Sequence, residues 1–272
     1  MLNILELIQQ EQQEGYSAAN ASAKVCQDLV LKALSTSMLS RNVTIKGGVV
    51  MRSKTHNTRR ATQDLDIDFI RYSLSDEAIK IFIQKLNCVP GIRFEQAGAI
   101  EELKQQDYHG KRVHIHVSDF AGNVIQSKID LGVHTRFEIE QEEYCFDIAF
   151  DDEGASLLIN SNEQMFAEKL RSLLKFGAFS TRYKDIFDLY YLSDKLEPKK
   201  LRIALQSYIF DDKQMRENNV TDILRRLRMV FSNNAYRQKL ATSDKKWIDQ
   251  DLQRVTDEIV TQLEKIQKLI NN

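Results

Sequence analysis

Proline is scarce in this chain: its 272 residues include only two, Pro90 and Pro198. This scarcity excludes a proline-rich linker between domains. Long apolar runs are also missing, because acidic residues and lysines interrupt the sequence throughout. No stretch approaches the roughly 20 apolar residues that cross a bilayer, so we expect no membrane-spanning segment.

Cysteine is equally sparse, with Cys26, Cys88 and Cys145 far apart in the sequence. They form no C-x-x-C pair of the kind found in redox and metal sites, so we expect reduced structural thiols. The apolar N-terminus is interrupted by Glu6 and lacks the basic start of a targeting signal. We therefore expect a cytoplasmic protein.

An excess of charge of either sign is missing too, since the formal net charge is −1. The chain lacks the overall basic character of many nucleic-acid binders, so any binding of a polyanion must be local. Hydrophobic residues make up 42% of the chain, which is enough to build a packed core. The sequence is that of an ordinary globular protein.

The first half has the mixed periodicity of an α/β domain. Apolar residues at helical spacing predict a helix over residues 17–37. A β-branched run predicts a strand at 43–45, and apolar residues alternate with aspartates in a second strand at 64–69. The remaining predictions are a helix over 75–86 and strands at 91–94, 113–117, 124–131 and 144–150.

The second half has helical periodicity. An apolar stripe runs from Met165 to Leu174 and ends near Gly177, and further helices are predicted over 182–193 and 248–270. We therefore predict an α+β protein with an α/β domain at 1–155, which includes N-terminal helices, and a helical domain at 156–272.

Two carboxylates stand out at the second predicted strand, in Asp64-x-Asp66. Side chains two apart on a strand share a face, so Asp64 and Asp66 converge while Leu65 and Ile67 enter the core. Neighbouring carboxylates repel each other, and a hard cation such as Mg²⁺ relieves that repulsion. The pair predicts a metal site, although acids at this spacing also line solvated sheet faces.

A Gly-Gly pair follows the first predicted strand, in Lys46-Gly47-Gly48. Without Cβ atoms the backbone N–H groups can approach a triphosphate closely, so we predict that these three residues bind a nucleotide. The segment that follows, which we expect to be a loop, contains no acid and four cations: Arg52, Lys54, Arg59 and Arg60. Alternatively, Gly47-Gly48 forms a simple tight turn, and the four cations of the loop are solvated.

A third carboxylate is expected from a neighbouring strand, and Asp130 is the candidate because Ile129 and Leu131 flank it in an apolar run. With Asp64 and Asp66 it would complete a two-metal site. Asp68 continues the alternation, but we expect it at a solvated strand end or in a supporting role.

Other charged residues are ambiguous from the sequence alone. His114 and His116 share a strand face but lack further ligands at metal spacing, so we expect an exposed face. In the helical half, Asp188 is expected to brace helices. The cations Arg225, Arg226 and Arg228 are expected on a solvated helix face, although contact with RNA is the alternative.

The ordered motifs together resemble the AbiEii-type nucleotidyltransferase toxins over roughly residues 41–195. The motifs are Gly47-Gly48, Asp64-x-Asp66, Lys128-x-Asp130-x-Gly132, Ala167-Glu168-Lys169-Leu170 and Arg182-x-Lys184-Asp185-x-Phe187-Asp188-Leu189-Tyr190. The resemblance implies a polymerase-β-like fold, a nucleotide-binding role for Lys169 and a catalytic-site role for Asp185. Gly48 departs from the wider superfamily, in which many members have serine.

The resemblance also implies a biological setting: a toxin paired with an antitoxin that often carries a winged-helix DNA-binding domain. We predict magnesium-dependent transfer of a nucleoside monophosphate from an NTP to an RNA hydroxyl, with the 3′ end of tRNA the first acceptor to test. The predicted catalytic residues are Asp64, Asp66, Asp130, Lys169 and Asp185, of which the first three bind metal. The alternatives are a protein or small-molecule acceptor, or a non-catalytic module that binds nucleotide or antitoxin.

Overall fold

The computed structural model describes residues 2–103 and 110–271, with side chains as far as Leu269. Its contacts divide the chain into two compact units. The first comprises Met1–Phe137 and Gln141–Asn160, and the second comprises Glu138–Glu140 and Ser161–Asn272. The first is called the α/β unit below and the second the helical unit.

The strands of the α/β unit are β1 (Val43–Lys46), β2 (Leu65–Phe69), β3 (Ile92–Glu102), β4 (Lys111–Asp119), β5 (Val124–Val133), β6 (Glu142–Ile148) and β7 (Asp151–Ile159). Within the described residues these seven strands form one sheet in the order β3-β4-β5-β2-β1-β7-β6. Strand β2 lies near the centre, antiparallel to β1 and parallel to β5. The sheet is therefore mixed.

The helices of the α/β unit are α1 (Ile4–Gln13), α2 (Ala18–Thr36), α3 (Gly47–Thr55) and α4 (Asp76–Lys85), with a 3₁₀ turn at Thr58–Arg60. Serine caps fix the starts of α2 and α4, since Ser17 Oγ accepts from the Asn20 N–H and Ser75 Oγ from the Ala78 N–H. Helix α2 packs on the strands, and its residues from Val25 to Leu31 are buried.

Side chains alternate between the two faces of β2, so its apolar residues and its aspartates lie on opposite faces. Leu65, Ile67 and Phe69 are buried, and the Phe69 ring packs edge-on against Tyr72 and Phe82. The aspartates between them consequently project from the opposite face of the strand.

The helical unit contains α5 (Asn162–Phe176), α6 (Tyr183–Ser193), α7 (Pro198–Leu205), α8 (Val220–Phe231), α9 (Asn234–Ala241) and α10 (Leu252–Asn271), with a 3₁₀ turn at Gly177–Phe179 and a π turn at Gln206–Phe210. Ser161 caps α5, and Gly177 follows its last residue with a φ of 54°. The predicted apolar stripe from Met165 to Leu174 is buried.

One sequence prediction about local structure was wrong, and two predicted elements are present with shifted bounds. The segment after Gly47 is helix α3 rather than a loop, because Val49, Val50 and Met51 are buried as an apolar helix face. The strand predicted at 144–150 is β6 at Glu142–Ile148, and β7 follows it. The last helix begins at Leu252 rather than 248, and the side chain of its predicted stripe residue Ile270 lies outside the described part.

Strand β7 was missed because its first residues, Asp151-Asp152-Glu153-Gly154, have the composition of a turn. Asp151 pairs with Ile148 of β6, the register shifts before Ala155, and the apolar end of β7 pairs with β1. Among the described residues, no helix has both the length and the apolar character that a membrane span needs.

Gly154 offers a test of this β6–β7 hairpin. Its φ is +69°, and an added Cβ would lie 2.6 Å from the Phe146 carbonyl oxygen. Gly122, with a φ of +84°, has nothing within 4 Å of an added Cβ. We expect Gly122→Ala to lower the free energy of unfolding by about 1 kcal/mol through backbone strain and Gly154→Ala by about 3 kcal/mol through strain plus overlap.

Urea unfolding of the two glycine variants measures this difference. Equal losses of stability would show that the β6–β7 pairing relaxes to accept a methyl group, contrary to the close approach described.

Candidate active site

The candidate site in the α/β unit is built on the centre of the sheet. Asp66 of β2 pairs in register with Lys46 of β1 on one side and with Asp130 of β5 on the other. Residues directly opposite on adjacent strands share a face, so these three side chains project together. Asp64 and Asp68 lie on the same face, two residues either side of Asp66. The structure thus brings the three predicted metal-ligating aspartates into one neighbourhood.

Crowding of carboxylates changes the proton affinity of Asp66. Burial raises the pKa of this carboxyl from 3.8 to about 6, and the negative charges of Asp130, Asp64 and Asp68 add to the rise. The ammonium of Lys46 acts in the opposite direction. A site that disfavours its own carboxylate charge is one that a bound cation stabilises.

Protein cations already offset part of this negative charge. Lys46 Nζ lies 2.7 Å from Asp68 Oδ1, and both side chains are buried. Lys128 Nζ lies 2.9 Å from Asp64 Oδ1. Asp68 is therefore no solvated strand end, and it supports the site by holding Lys46.

Arg112 is a component of the site that the sequence prediction missed. From β4 its Nε and Nη2 donate to the two oxygens of Asp130, at 2.7 and 2.8 Å. This bidentate pairing fixes the plane of the carboxylate as well as its position. Arg112 and Asp130 are register partners across β4 and β5, and the sequence does not reveal that register.

The donor chemistry of this face fits a divalent metal such as Mg²⁺, which prefers carboxylate oxygens. The raised pKa of Asp66 supports the fit, since a cation would relieve the same repulsion. Within the residues described, however, no three His, Cys, Asp or Glu side chains are arranged as a metal cluster. Asp64 and Asp130 face Lys128 and Arg112 instead.

Gly47 lies where the site meets α3. Its φ is +68°, and an added Cβ would lie 2.4 Å from Asp66 Oδ2. Both the backbone conformation and the approach of the carboxylate therefore require glycine. The N-cap residue Lys46 provides no side-chain cap for α3. The first N–H groups of a helix suit an anion.

A separate contact explains why position 48 is glycine. An added Cβ would lie 2.5 Å from Thr62 Oγ1 and 2.7 Å from Thr62 Cβ. Serine at this position would overlap with Thr62. Glycine instead of serine at position 48 thus accompanies the close packing of α3 on the segment before β2.

The cations after Gly48 do not form the exposed cluster expected for a polyanion. Arg52 is buried, with its Nη2 3.4 Å from Asp28 Oδ1, and Arg60 is also buried. Lys54 Nζ lies 3.7 Å from Glu142 and over the Tyr144 ring. The structure uses these three cations in packing and ion pairs.

The helical unit places Lys169 of α5 between two acids of α6. Its Nζ lies 2.9 Å from Asp185 Oδ1 and 2.7 Å from Asp188 Oδ2. Asp188 is completely buried and also accepts a hydrogen bond from Trp247 Nε1 at 3.1 Å. Asp188 therefore braces the helices, as expected, while Asp185 is the more accessible of the two acids.

The structure also places the histidines of β4 and the arginines of α8, whose roles were ambiguous from the sequence. His114 and His116 are partly exposed on β4, and His114 Nε2 lies 3.3 Å from Glu101. On α8, Arg225 and Arg228 have exposed side chains, whereas Arg226 is half-buried.

The raised pKa of Asp66 leads to a prediction about stability and pH. Since its folded-state pKa lies above the ordinary value, the folded protein binds this proton more tightly than the unfolded chain. The contribution of Asp66 to stability should therefore be lost as pH rises from about 4 to about 6. In EDTA at about pH 8 we expect Asp66→Asn to raise the free energy of unfolding by on the order of 2 kcal/mol, a gain that vanishes near pH 4.

Thermal and urea unfolding at both pH values measure this effect. Asp64→Asn is the matched control, because Asp64 is half-exposed and paired with Lys128. An Asp66→Asn protein that is less stable than wild type at pH 8 contradicts the assignment of repulsion to this carboxylate.

The buried pair of Lys169 and Asp188 generates a second prediction. Lys169→Met leaves a carboxylate buried without its cation, and we expect a loss of about 3 kcal/mol in the free energy of unfolding. Adding Asp188→Asn removes the orphaned charge while keeping an acceptor for Trp247. The double variant should recover most of the lost stability.

Urea unfolding of the single and double variants tests this coupling. If Lys169→Met costs less than about 1 kcal/mol, as exposed ion pairs do, the pair is not a structural brace. Activity should stay low in both variants if Lys169 also binds nucleotide.

Comparison with known proteins identifies the family and the fold of this chain. A family model described as the nucleotidyl transferase AbiEii toxin of type IV toxin–antitoxin systems matches residues 29–269. A comparison with curated protein sequences gave no match. The fold is similar to that of MenT4, a nucleotidyltransferase toxin of Mycobacterium tuberculosis H37Rv, with a TM-score of 0.54, 16% identity and coverage of 98% of this chain and 100% of that one.

The structural likeness confirms the predicted α+β fold class, and the family match confirms the predicted resemblance. Because the matched region spans most of the sequence, this chain belongs to the AbiEii family of nucleotidyltransferase toxins.

Proposed function

We propose that this nucleotidyltransferase uses Mg²⁺ to transfer a nucleoside monophosphate from an NTP to a hydroxyl of RNA, with the 3′ end of tRNA as the first acceptor to test. The observation that carries the proposal is the carboxylate pair Asp66 and Asp130, in register on adjacent strands beside the glycine that opens α3. Acids for a metal and N–H groups for phosphates thus lie together.

Asp64, Asp66 and Asp130 are the residues that would hold Mg²⁺. When bound, a pair of such ions supplies activation of the acceptor hydroxyl and neutralisation of the leaving pyrophosphate. Arg112 holds the Asp130 carboxylate in one plane, and each oxygen keeps a further lone pair for a cation.

Lys46, Gly47 and Gly48 are the proposed triphosphate-binding residues of the α/β unit. The uncapped start of α3 offers backbone N–H groups, and Gly47 lets Asp66 approach that start closely. The buried ammonium of Lys46 adds a positive charge to the same face.

Lys169 and Asp185 carry the proposed roles that the family resemblance implies for the helical unit. The ammonium of Lys169 would contact the nucleotide as a point charge, and Asp185 orients that ammonium through its 2.9 Å contact. Asp188 anchors the same ammonium from the buried side.

The proposed reaction is an in-line displacement. The acceptor oxygen forms a bond to the α-phosphorus while the bond from that phosphorus to the oxygen bridging to the β-phosphate breaks. Pyrophosphate leaves with the bond electrons, and the hydroxyl proton passes to solvent or to a site carboxylate such as Asp130.

The family description supports a further proposal about partners and location. A toxin of a toxin–antitoxin system has a cognate antitoxin, which we propose carries a winged-helix DNA-binding domain. We also propose that both act in the cytoplasm, where NTPs and tRNA are found.

Incubation with Mg²⁺, total RNA and each α-³²P-labelled NTP tests the activity. We expect label in a tRNA-sized band, its loss in EDTA, and a decrease of about 100-fold or more in Asp66→Asn. The control is Asp147→Asn, which removes an exposed acid of β6 and should label RNA as wild type does.

The other outcomes separate the alternatives. Label on protein or on a small molecule would replace RNA as the acceptor. No transfer with any NTP, together with no shift of the thermal midpoint by Mg²⁺ and NTP, would favour a non-catalytic module, because a ligand of the native state must stabilise it.

A further inference from the structure

The helical unit has a cavity of about 490 Å³ that the proposed chemistry does not use. It lies where the end of α5 and helix α8 meet the segment 214–218. Its lining contains four cations, Lys175, Arg216, Arg225 and Arg226, and this region is called the basic cavity below.

Positive charge predominates in the basic cavity. The lining also contains two carboxylates, Glu217 and Asp222, so four cations against two acids leave an excess of two positive charges. Glu217 is buried, and Asp222 accepts from the Asn218 N–H at 3.2 Å and lies 3.2 Å from Arg225. Across the described residues, no carboxylate forms an ion pair with Arg216 or Arg226.

The position of Arg226 depends on a glycine. An added Cβ at Gly177 would lie 2.7 Å from Arg226 Nη2, so the guanidinium packs where a side chain would otherwise be. Gly177 opens the 3₁₀ turn that follows α5. A cation of α8 is thereby held against the end of α5.

Two exposed aromatic rings flank this glycine in the chain. Phe179 is 93% exposed and Phe176 is 50% exposed. Apolar rings of this size are usually buried, and two of them within four residues form an exposed feature that needs an explanation. Gly177, between the two rings in the chain, lies against Arg226 of the basic cavity. Aromatic rings near lysine and arginine are typical of surfaces that bind single-stranded nucleic acid.

The basic cavity also lies close to Lys169 along the same helix. Lys175 follows Lys169 by six positions on α5, which corresponds to about 9 Å along the helix axis and roughly 120° around it. That span is comparable with one or two nucleotides of an extended strand, as a polynucleotide whose end reaches the nucleotide would need.

We propose that the basic cavity, with Phe176 and Phe179, binds the single-stranded end of the RNA acceptor: the cations contact its phosphates and the rings stack on its bases. This assignment rests on the proposed function, because it takes RNA as the acceptor. An acidic protein segment would use the cations but has no bases to stack on the exposed rings, so the observations favour RNA.

Fluorescence anisotropy with a 5′-fluorescein-labelled, single-stranded 12-nucleotide RNA tests the surface. Loss of two phosphate contacts in Arg225→Gln/Arg226→Gln should weaken binding about tenfold and reduce the slope of log K against log salt by about 1.4. Phe179→Ala should weaken binding about tenfold without changing the slope, because stacking releases no counterions.

The matched control is Lys199→Gln/Lys200→Gln, which removes two exposed cations from α7. It should bind RNA with the wild-type affinity and salt slope. All variants should keep the thermal shift that NTP and Mg²⁺ produce, and loss of that shift in the cavity variants would show damage to the nucleotide site and overturn the assignment.

Other outcomes distinguish this proposal from the proposed function. If wild type labels RNA and the cavity variants bind RNA normally, the surface is wrong while the function stands. If wild type neither binds nor labels RNA, the RNA acceptor fails and this surface fails with it. If poly-L-glutamate binds in a manner that the arginine variants abolish and RNA does not bind, the cavity is a site for an acidic protein.

Discussion

The rest of this structure depends on the crowding of negative charge at the centre of its sheet. Asp66 lies among three other aspartates on one face, and burial together with these neighbours raises its pKa to about 6. Lys46, Lys128 and Arg112 offset that charge from adjacent strands. A cation bound at this cluster would relieve the repulsion among its carboxylates, which is the physical basis of the proposed metal site.

The same demand for close approach explains the unusual backbone and packing near the functional residues. Glycine suits position 47 for two separate reasons: its φ is +68°, and an added Cβ would overlap with the carboxylate of Asp66. In the helical unit, Lys169 is held by Asp188, which is fully buried and bound to Trp247. Residues with proposed roles in the reaction are therefore also structural, so loss of activity in a variant has to be separated from loss of folding.

Much of the site was predictable because its signals are local in the sequence. The alternation of β2 predicted the aspartate face, and the apolar stripe of α5 predicted the place of Lys169, whereas the glycine pair predicted a loop where α3 begins. Arg112 was not predictable, because its relation to Asp130 is a matter of register between β4 and β5. The cations after Gly48 were misread, since α3 directs Arg52 to the buried Asp28.

The sequence by itself determined the fold class, the family and the residue types of the site, because periodicity and ordered motifs are properties of the chain. The tertiary structure decided which charges meet. Ion pairs such as Arg112 with Asp130, and the clustering of Arg226 with Gly177, join residues that are far apart in sequence. Electrostatic energies depend on distance and burial in three dimensions, and neither can be calculated from spacing along the chain.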